Sequence, residues 1–149
     1  GSQTALMIIR IEKYLKKNKN IKGVIVYGDT NSALAGALVT SKMSNIKLIH
    51  LEAGLRSFDK NMPEELNRRI IDHSSDLLLC PTLISKKYLL KEGIPAKKIF
   101  VTGNTISDAI KSKLTQKHLN LKNNYGILIA TPYSGRNNSS ISDSFCNLF

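Results

Sequence analysis

The sequence predicts an α/β fold, a doubly wound parallel sheet, and three observations carry that reading. Short runs that are apolar on both faces recur as "GVIVYG", "IKLIHLE", "DLLLCP" and "KIFVTG", the pattern of strands covered by helices on both sides. Segments with helical spacing and capping residues separate them. Each strand runs out into a small-residue or proline turn, "YGDT", "HLEAG", "CPT" and "TGN". Strand, turn and helix in strict alternation are the mark of crossover connections in a parallel sheet.

Taken in order, residues 3–16, "QTALMIIRIEKYLK", place Leu6, Ile9, Ile11 and Leu15 among charged neighbours and predict a helix that ends at "KNKN". "GVIVYG" follows as a buried strand. "GDTNSALAGALVTSK" then starts a small-residue helix, with Thr30, Asn31 or Ser32 as its cap. "IKLIHLE" is the second strand, and after a long connection "PEELNRRIIDHSS" is a helix with Pro63 in its first turn, where the missing N–H has no partner to lose. "DLLLCP" is the third strand. "TLISKKYLLKEG" is a helix stopped by Gly93, "KIFVTG" the fourth strand, and "NTISDAIKSKL" the next helix. Beyond Leu114 a polar stretch precedes "YGILIATP", which reads as a strand opening a new unit, and the rest is rich in Ser and Asn without period. The division expected is 1–115 as one domain, 116–132 as linker and first strand of a second, and 133–149 as an irregular tail.

The 149 residues carry 22 Lys and Arg against 11 Asp and Glu, a net charge of +11. That charge favours phosphate-bearing partners of any kind. The lysines are dispersed among apolar positions without aromatic interleaving, so nucleic acid is not expected. No apolar run is long enough to span a bilayer. Cys80 and Cys146 have neither metal-ligand nor disulfide spacing, and a reducing cytoplasm is the expected location. His50, His73 and His118 share no ligand spacing, and neither a P-loop nor GxGxxG occurs, which argues against a nucleoside triphosphatase and a nicotinamide dehydrogenase. No cofactor and no metal are expected.

Ligands of such sheets bind beyond the carboxyl ends of the strands. Asp29 and Glu52 stand there, at neighbouring ends if their strands are adjacent. Asp29 in isolation reads as a turn or cap residue. Glu52 leaves the core directly beside "AG", where another group can approach, and suits acid/base work. Glu64 and Glu65 begin a helix, four residues before Arg68 and Arg69, so two ordinary ion pairs would explain them. Consecutive helical residues diverge by about 100°, so only one of the two acids can point squarely into a cleft, and the other holds an arginine or a cap. Arg56 and Arg68 suit bidentate bonding to a diphosphate, or else neutralise the acids beside them. His50 reads as a core histidine. "TGNTISDA" offers free N–H groups to an anion, a weak and common signal.

"GDTNSALAGAL", "HLEAGLRSFDKNMPEELNRRIIDH" and "VTGNTISDAI", in this order and at these separations, resemble the non-hydrolysing UDP-N-acetylglucosamine 2-epimerases, from about Gln3 to Ile129. The centre, "HLEAGLRS" followed by "MPEELNR", is the specific part. The resemblance implies two Rossmann-like domains of the GT-B type with the active site between them, and places this chain in the latter part of the N-terminal domain. It implies interconversion of UDP-GlcNAc and UDP-ManNAc through elimination and re-addition of UDP. Asp29, Glu52 and Glu64 match the family's functional carboxylates, with Glu64 the inward member of its pair; Arg56 and Arg68 match arginines assigned to phosphate or acid positioning. No stretch matches the family's "GTRPE"-like motif, and Tyr133 falls where the family has a functional histidine. The resemblance therefore implies an internal piece, inactive alone. The family's homodimer is the expected assembly, and self-association of the piece follows from an uncovered sheet edge. A hydrolysing epimerase and a non-catalytic, nucleotide-binding remnant are the competing readings.

Overall fold

The computed structural model describes residues 1–105 and 127–130, the last four as backbone. Among the described residues four helices and five strands follow one another as α1 (Ser2–Lys17), β1 (Gly23–Tyr27), α2 (Asn31–Thr40), β2 (Lys47–Leu51), α3 (Pro63–Ser74), β3 (Leu77–Cys80), α4 (Leu83–Lys91), β4 (Ile99–Val101) and β5 (Ile127–Ala130), with a 3₁₀ turn at Ala96–Lys98. The strands form one sheet in the order β4-β3-β2-β1-β5, and every pairing is parallel. The doubly wound α/β class is therefore the observed one. The helix expected after Thr105 and the irregular tail, with Tyr133, lie outside the described residues.

Local chemistry accounts for the boundaries. Thr30 is the cap of α2, its hydroxyl accepting from the Ala33 amide at 3.3 Å, and Thr82 caps α4 in the same way through Ser85 at 3.1 Å. Pro63 opens α3. Gly93, at φ +84°, turns the chain out of α4, while the Ile94 amide bonds back to Leu89. The small residues of α2 serve close packing: a methyl group added at Gly36 would lie 3.1 Å from Val26.

One core lies between β1, β2 and the helices α1, α2 and α3, built on Leu15, Val24, Val26, Ala37, Leu48 and Ile71. A second lies between β3, β4 and α4, built on Leu78, Cys80, Leu89, Ile94 and Ile99. The face that α1 buries differs from the expected stripe. Ile8, Ile11 and Leu15 meet the core, whereas Leu6 and Ile9 stay exposed; at about 100° per residue the first three share a stripe from which positions 6 and 9 diverge.

The strand "ILIA", expected to open a second domain, lies instead in the same sheet as β1, in register from Gly23 opposite Ile127 to Val26 opposite Ala130. Val24 and Val26 are fully buried in β1, and backbone polar groups in so apolar a strand need a partner on each edge. On the opposite side of the sheet β4 is the edge, with Phe100 and Val101 half exposed.

Candidate active site

Tyr27 and Leu51 pair at the ends of β1 and β2, so Asp29 and Glu52 do emerge from adjacent strands. The Gly28 amide donates to Leu51 O and the Ala53 amide to Leu79 O, fixing both turns to the neighbouring strand. Gly28 has φ +69° and Glu52 φ +70°. For glutamate this left-handed conformation is unfavourable by about 1–2 kcal/mol, and the surroundings hold it by the side chain. Tyr27 donates its hydroxyl to Glu52 Oε1 at 2.8 Å and stands 3.3 Å from the Thr105 hydroxyl. The bond to Thr105 lowers the phenol pKa, but burial and the Glu52 carboxylate together outweigh it and raise it, so at neutral pH Tyr27 is a donor. Glu52 Oε2 lies within 4.0 Å of where a side chain at Gly28 would begin, which brings this carboxylate beside the Asp29 turn.

The first two turns of α3 close over that turn. Asn67 donates to Asp29 O at 2.8 Å and to Asn31 Oδ1 at 3.3 Å. Arg68 holds Asp29 Oδ2 with two nitrogens, Nε at 2.8 Å and the terminal Nη2 at 2.7 Å, and reaches Glu65 through its other terminal nitrogen at 3.1 Å. The two consecutive acids are thereby divided. Glu65 is buried and accepts from the Ser57 amide at 2.9 Å, the Ser57 hydroxyl at 3.0 Å, Arg68 and Arg69; Glu64, one residue earlier, is exposed.

Burial alone would raise the Glu65 pKa, but the Ser57 amide and hydroxyl, then Arg68 and Arg69, bring it down to about 2. A depressed carboxylate pKa gives stability that is present above the unfolded value of about 4.3 and lost as pH falls toward 2. With a side chain only 5% exposed, the effect is on the order of 2–3 kcal/mol. Urea unfolding of Glu65→Gln should therefore show a deficit of that size at pH 7 that closes as the pH approaches 2. An unchanged deficit across that interval would refute the assignment.

Arg56, for which the sequence left both a phosphate and the neighbouring acids open, is enclosed among acids. Its side chain is 0% exposed. It donates to Asp72 Oδ2 at 2.7 Å and to Leu55 O at 2.6 Å, and forks onto Glu92 at 2.8 and 2.6 Å. A guanidinium is the one cation that can satisfy two carboxylates from a single plane; burial works against its charge, but Glu92 and Asp72 more than offset this and raise its pKa. His50, 1% exposed, completes the cluster, with Nδ1 2.6 Å from Asp72 Oδ1 and Nε2 2.9 Å from Gly28 O.

The structure thus brings Asp29, Glu52 and Arg68 together at the strand ends, sets Glu64 on the exposed side of the same helix start, and withdraws Arg56 beneath them. Tyr27, Asn67, Asp72 and Glu92 went unread in the sequence. "GD" and "EEL" carry no trace of Tyr27 or Asn67 as partners, and only the fold joins Arg56 to Glu92 across 36 positions. Among the described residues no group of three His, Cys, Asp or Glu is placed to hold a metal ion, and no helix is long and apolar enough to cross a membrane.

Residues 1–137 match the family model described as UDP-N-acetylglucosamine 2-epimerase. A protein of that name from Methanocaldococcus jannaschii is 55% identical over 124 residues, which is 82% of this chain and 33% of that protein. A UDP-2,3-diacetamido-2,3-dideoxy-D-glucuronate 2-epimerase from Pseudomonas aeruginosa is 40% identical over 141 residues, 92% of this chain and 39% of that one. The crystal structure of the M. jannaschii UDP-GlcNAc 2-epimerase in complex with UDP-GlcNAc and UDP superposes with a TM-score of 0.73 at 55% identity, covering 79% of this chain and 33% of the other. The chain spans about a third of the length of the curated relatives it matches.

Proposed function

Since this chain belongs to the UDP-N-acetylglucosamine 2-epimerase family, we propose that it furnishes the carboxylate wall of a UDP-2-acetamido-sugar 2-epimerase, with UDP-GlcNAc and UDP-ManNAc as the interconverted pair. The observation that carries this reading is the issue of Asp29 and Glu52 from adjacent strand ends, with α3 laid over the Asp29 turn by Asn67 and Arg68. In the reaction a base takes the proton from C2, the C1–O bond breaks and UDP departs with its electron pair, leaving a 2-acetamidoglucal. Protonation of C2 from the other face and return of UDP to C1 give the epimer. Asp29, Glu52 and Glu64 are the candidate proton-transfer groups. Arg68 orients Asp29 and adds positive charge near the departing diphosphate. Arg56 supports the wall from behind rather than meeting the sugar nucleotide. A nucleotide-sugar substrate implies work in the cytoplasm, and the family reading carries a homodimeric assembly with it.

Two measurements test the proposal. Adding UDP-GlcNAc to the 15N-labelled 149-residue chain should shift the amides of Gly28, Asp29, Glu52 and Arg68 without producing UDP-ManNAc; steady conversion would overturn the assignment of a single wall, and unmoved amides the site itself. Grafted into the M. jannaschii relative in place of the matching third, the segment should support conversion read by proton NMR of the anomeric region. Glu52→Gln or Glu64→Gln in that graft should then slow it by about 10²–10⁴-fold.

A further inference from the structure

We infer that His50 is a positioning residue that carries a proton on both ring nitrogens and so ties the Gly28–Asp29 turn to the buried charges beneath it. The consequence for Asp29 rests on the function proposed above; the state of the ring does not. Both partners of the imidazole are oxygens that accept. Gly28 O, 2.9 Å from Nε2, is a backbone carbonyl with no proton to give. Asp72 Oδ1 lies 2.6 Å from Nδ1, while its other oxygen receives the Arg56 guanidinium at 2.7 Å and the Gly54 amide at 3.2 Å. A neutral ring has one N–H and would press a lone pair against one of these oxygens at a site closed to water. Such an unmade bond is unfavourable by about 1–3 kcal/mol.

The contacts of Asp72 accommodate the same form. Asp72 is fully buried and pairs with Arg56 and His50, whereas Glu92, 20% exposed, has Arg69 at 4.0 Å and His73 at 3.3 Å besides Arg56. Asp72 Oδ2 already accepts from the guanidinium and the Gly54 amide, and an N–H of the ring directed at Oδ1 leaves neither carboxylate oxygen facing a lone pair. Val26 and Leu78, opposite His50 on the neighbouring strands, are apolar. The Cys80 thiol on β3 is pushed up to about 11, first by burial and then by Asp72, and remains neutral. On α4, Glu92 lies beyond Arg56, with His73 and Arg69 behind it.

The functional weight falls on the peptide after Gly28. Its carbonyl is held by His50, the Gly28 amide by Leu51 O, and Gly28 itself is at φ +69°. Asp29 therefore leaves a turn whose orientation is set from below by the ring and from above by Arg68.

At pH 7, long-range proton–nitrogen correlation on the 15N-histidine-labelled chain should show His50 with both ring nitrogens in the protonated position, assigned by their loss in His50→Gln. His73 and His118 serve as references in the same spectrum. A single protonated nitrogen on His50 would overturn the inference. In His50→Gln the amides of Gly28 and Asp29 should shift, and UDP-GlcNAc binding should weaken about three- to tenfold, the worth of one hydrogen bond; unmoved amides there would refute the positioning role. Absence of any UDP-GlcNAc response in the unaltered chain sinks the functional reading and leaves the ring result standing.

Discussion

Arg56→Ala will lower the unfolding free energy by about 3–5 kcal/mol, because it strands the fully buried Asp72 carboxylate and takes the fork from Glu92, to which Arg69 at 4.0 Å and His73 are left. Against a total of about 5–15 kcal/mol for a domain this is enough to depopulate the folded state. Arg56 spans the long connection after β2, the end of α3 and the end of α4 through Leu55 O, Asp72 and Glu92, so its loss frees three elements together. Arg56→Lys keeps the charge but not the fork, and should recover less than half of the loss. Arg56→Met combined with Glu92→Gln removes one charge of each sign and should be milder than Arg56→Met alone. Guanidinium unfolding of these four variants beside the unaltered chain is the measurement. A deficit under about 1 kcal/mol for Arg56→Ala would place the guanidinium among weak surface pairs and refute the enclosed network.

Gly54→Ala should be nearly as damaging for a purely steric reason. Gly54 has φ +79°, and a methyl group there would lie 2.5 Å from Ser85 O, 2.9 Å from Ser85 C and 3.0 Å from Leu89 Cγ. The first two are backbone atoms of α4, so relief requires the helix to move. Overpacking of a tight core is unfavourable by about 1–3 kcal/mol, and left-handed backbone with a Cβ by about 1–2 more, giving roughly 3 kcal/mol. Moving the Gly54 turn instead would disturb the bond from Gly54 N to Asp72 on α3. Gly93 provides the control: φ is +84° but open space surrounds it, so Gly93→Ala should show the conformational part alone. Thermal melts showing equal losses for the two glycines would rule out the contact with α4.

The strands were legible because a short, mostly apolar run between helical segments marks each of β1 to β4, although at the edge strand β4 Phe100 and Val101 stay half exposed. The placement of "ILIA" was not, since a four-residue apolar strand states that it is buried and not which sheet buries it. Helical geometry predicts that Glu64 and Glu65 diverge, but not which of them the fold buries; it is Glu65 that is enclosed by Ser57, Arg68 and Arg69, while Glu64 is exposed. Arg56 resisted because its two possible roles, ligand for phosphate and partner for acids, use the same bidentate chemistry. Only the positions of Asp72 and Glu92, set by α3 and α4 packing together, choose between them. His50 was legible as a core residue but not as a donor to Gly28, which requires the pairing of β1 with β2.

The pairing of β5 with β1 joins residues more than a hundred positions apart, whereas β2 follows β1 within one short crossover. Contacts so distant along the chain form late, after the loop-closure entropy has been met. When the 149-residue polypeptide refolds, β1, β2, β3 and β4 can pair in chain order while the outer edge of β1 waits for Ile127–Ala130. For that interval any apolar strand of the right length can occupy the place, including the same four residues of another copy. The yield of correctly closed chains should therefore fall as the concentration of refolding polypeptide rises.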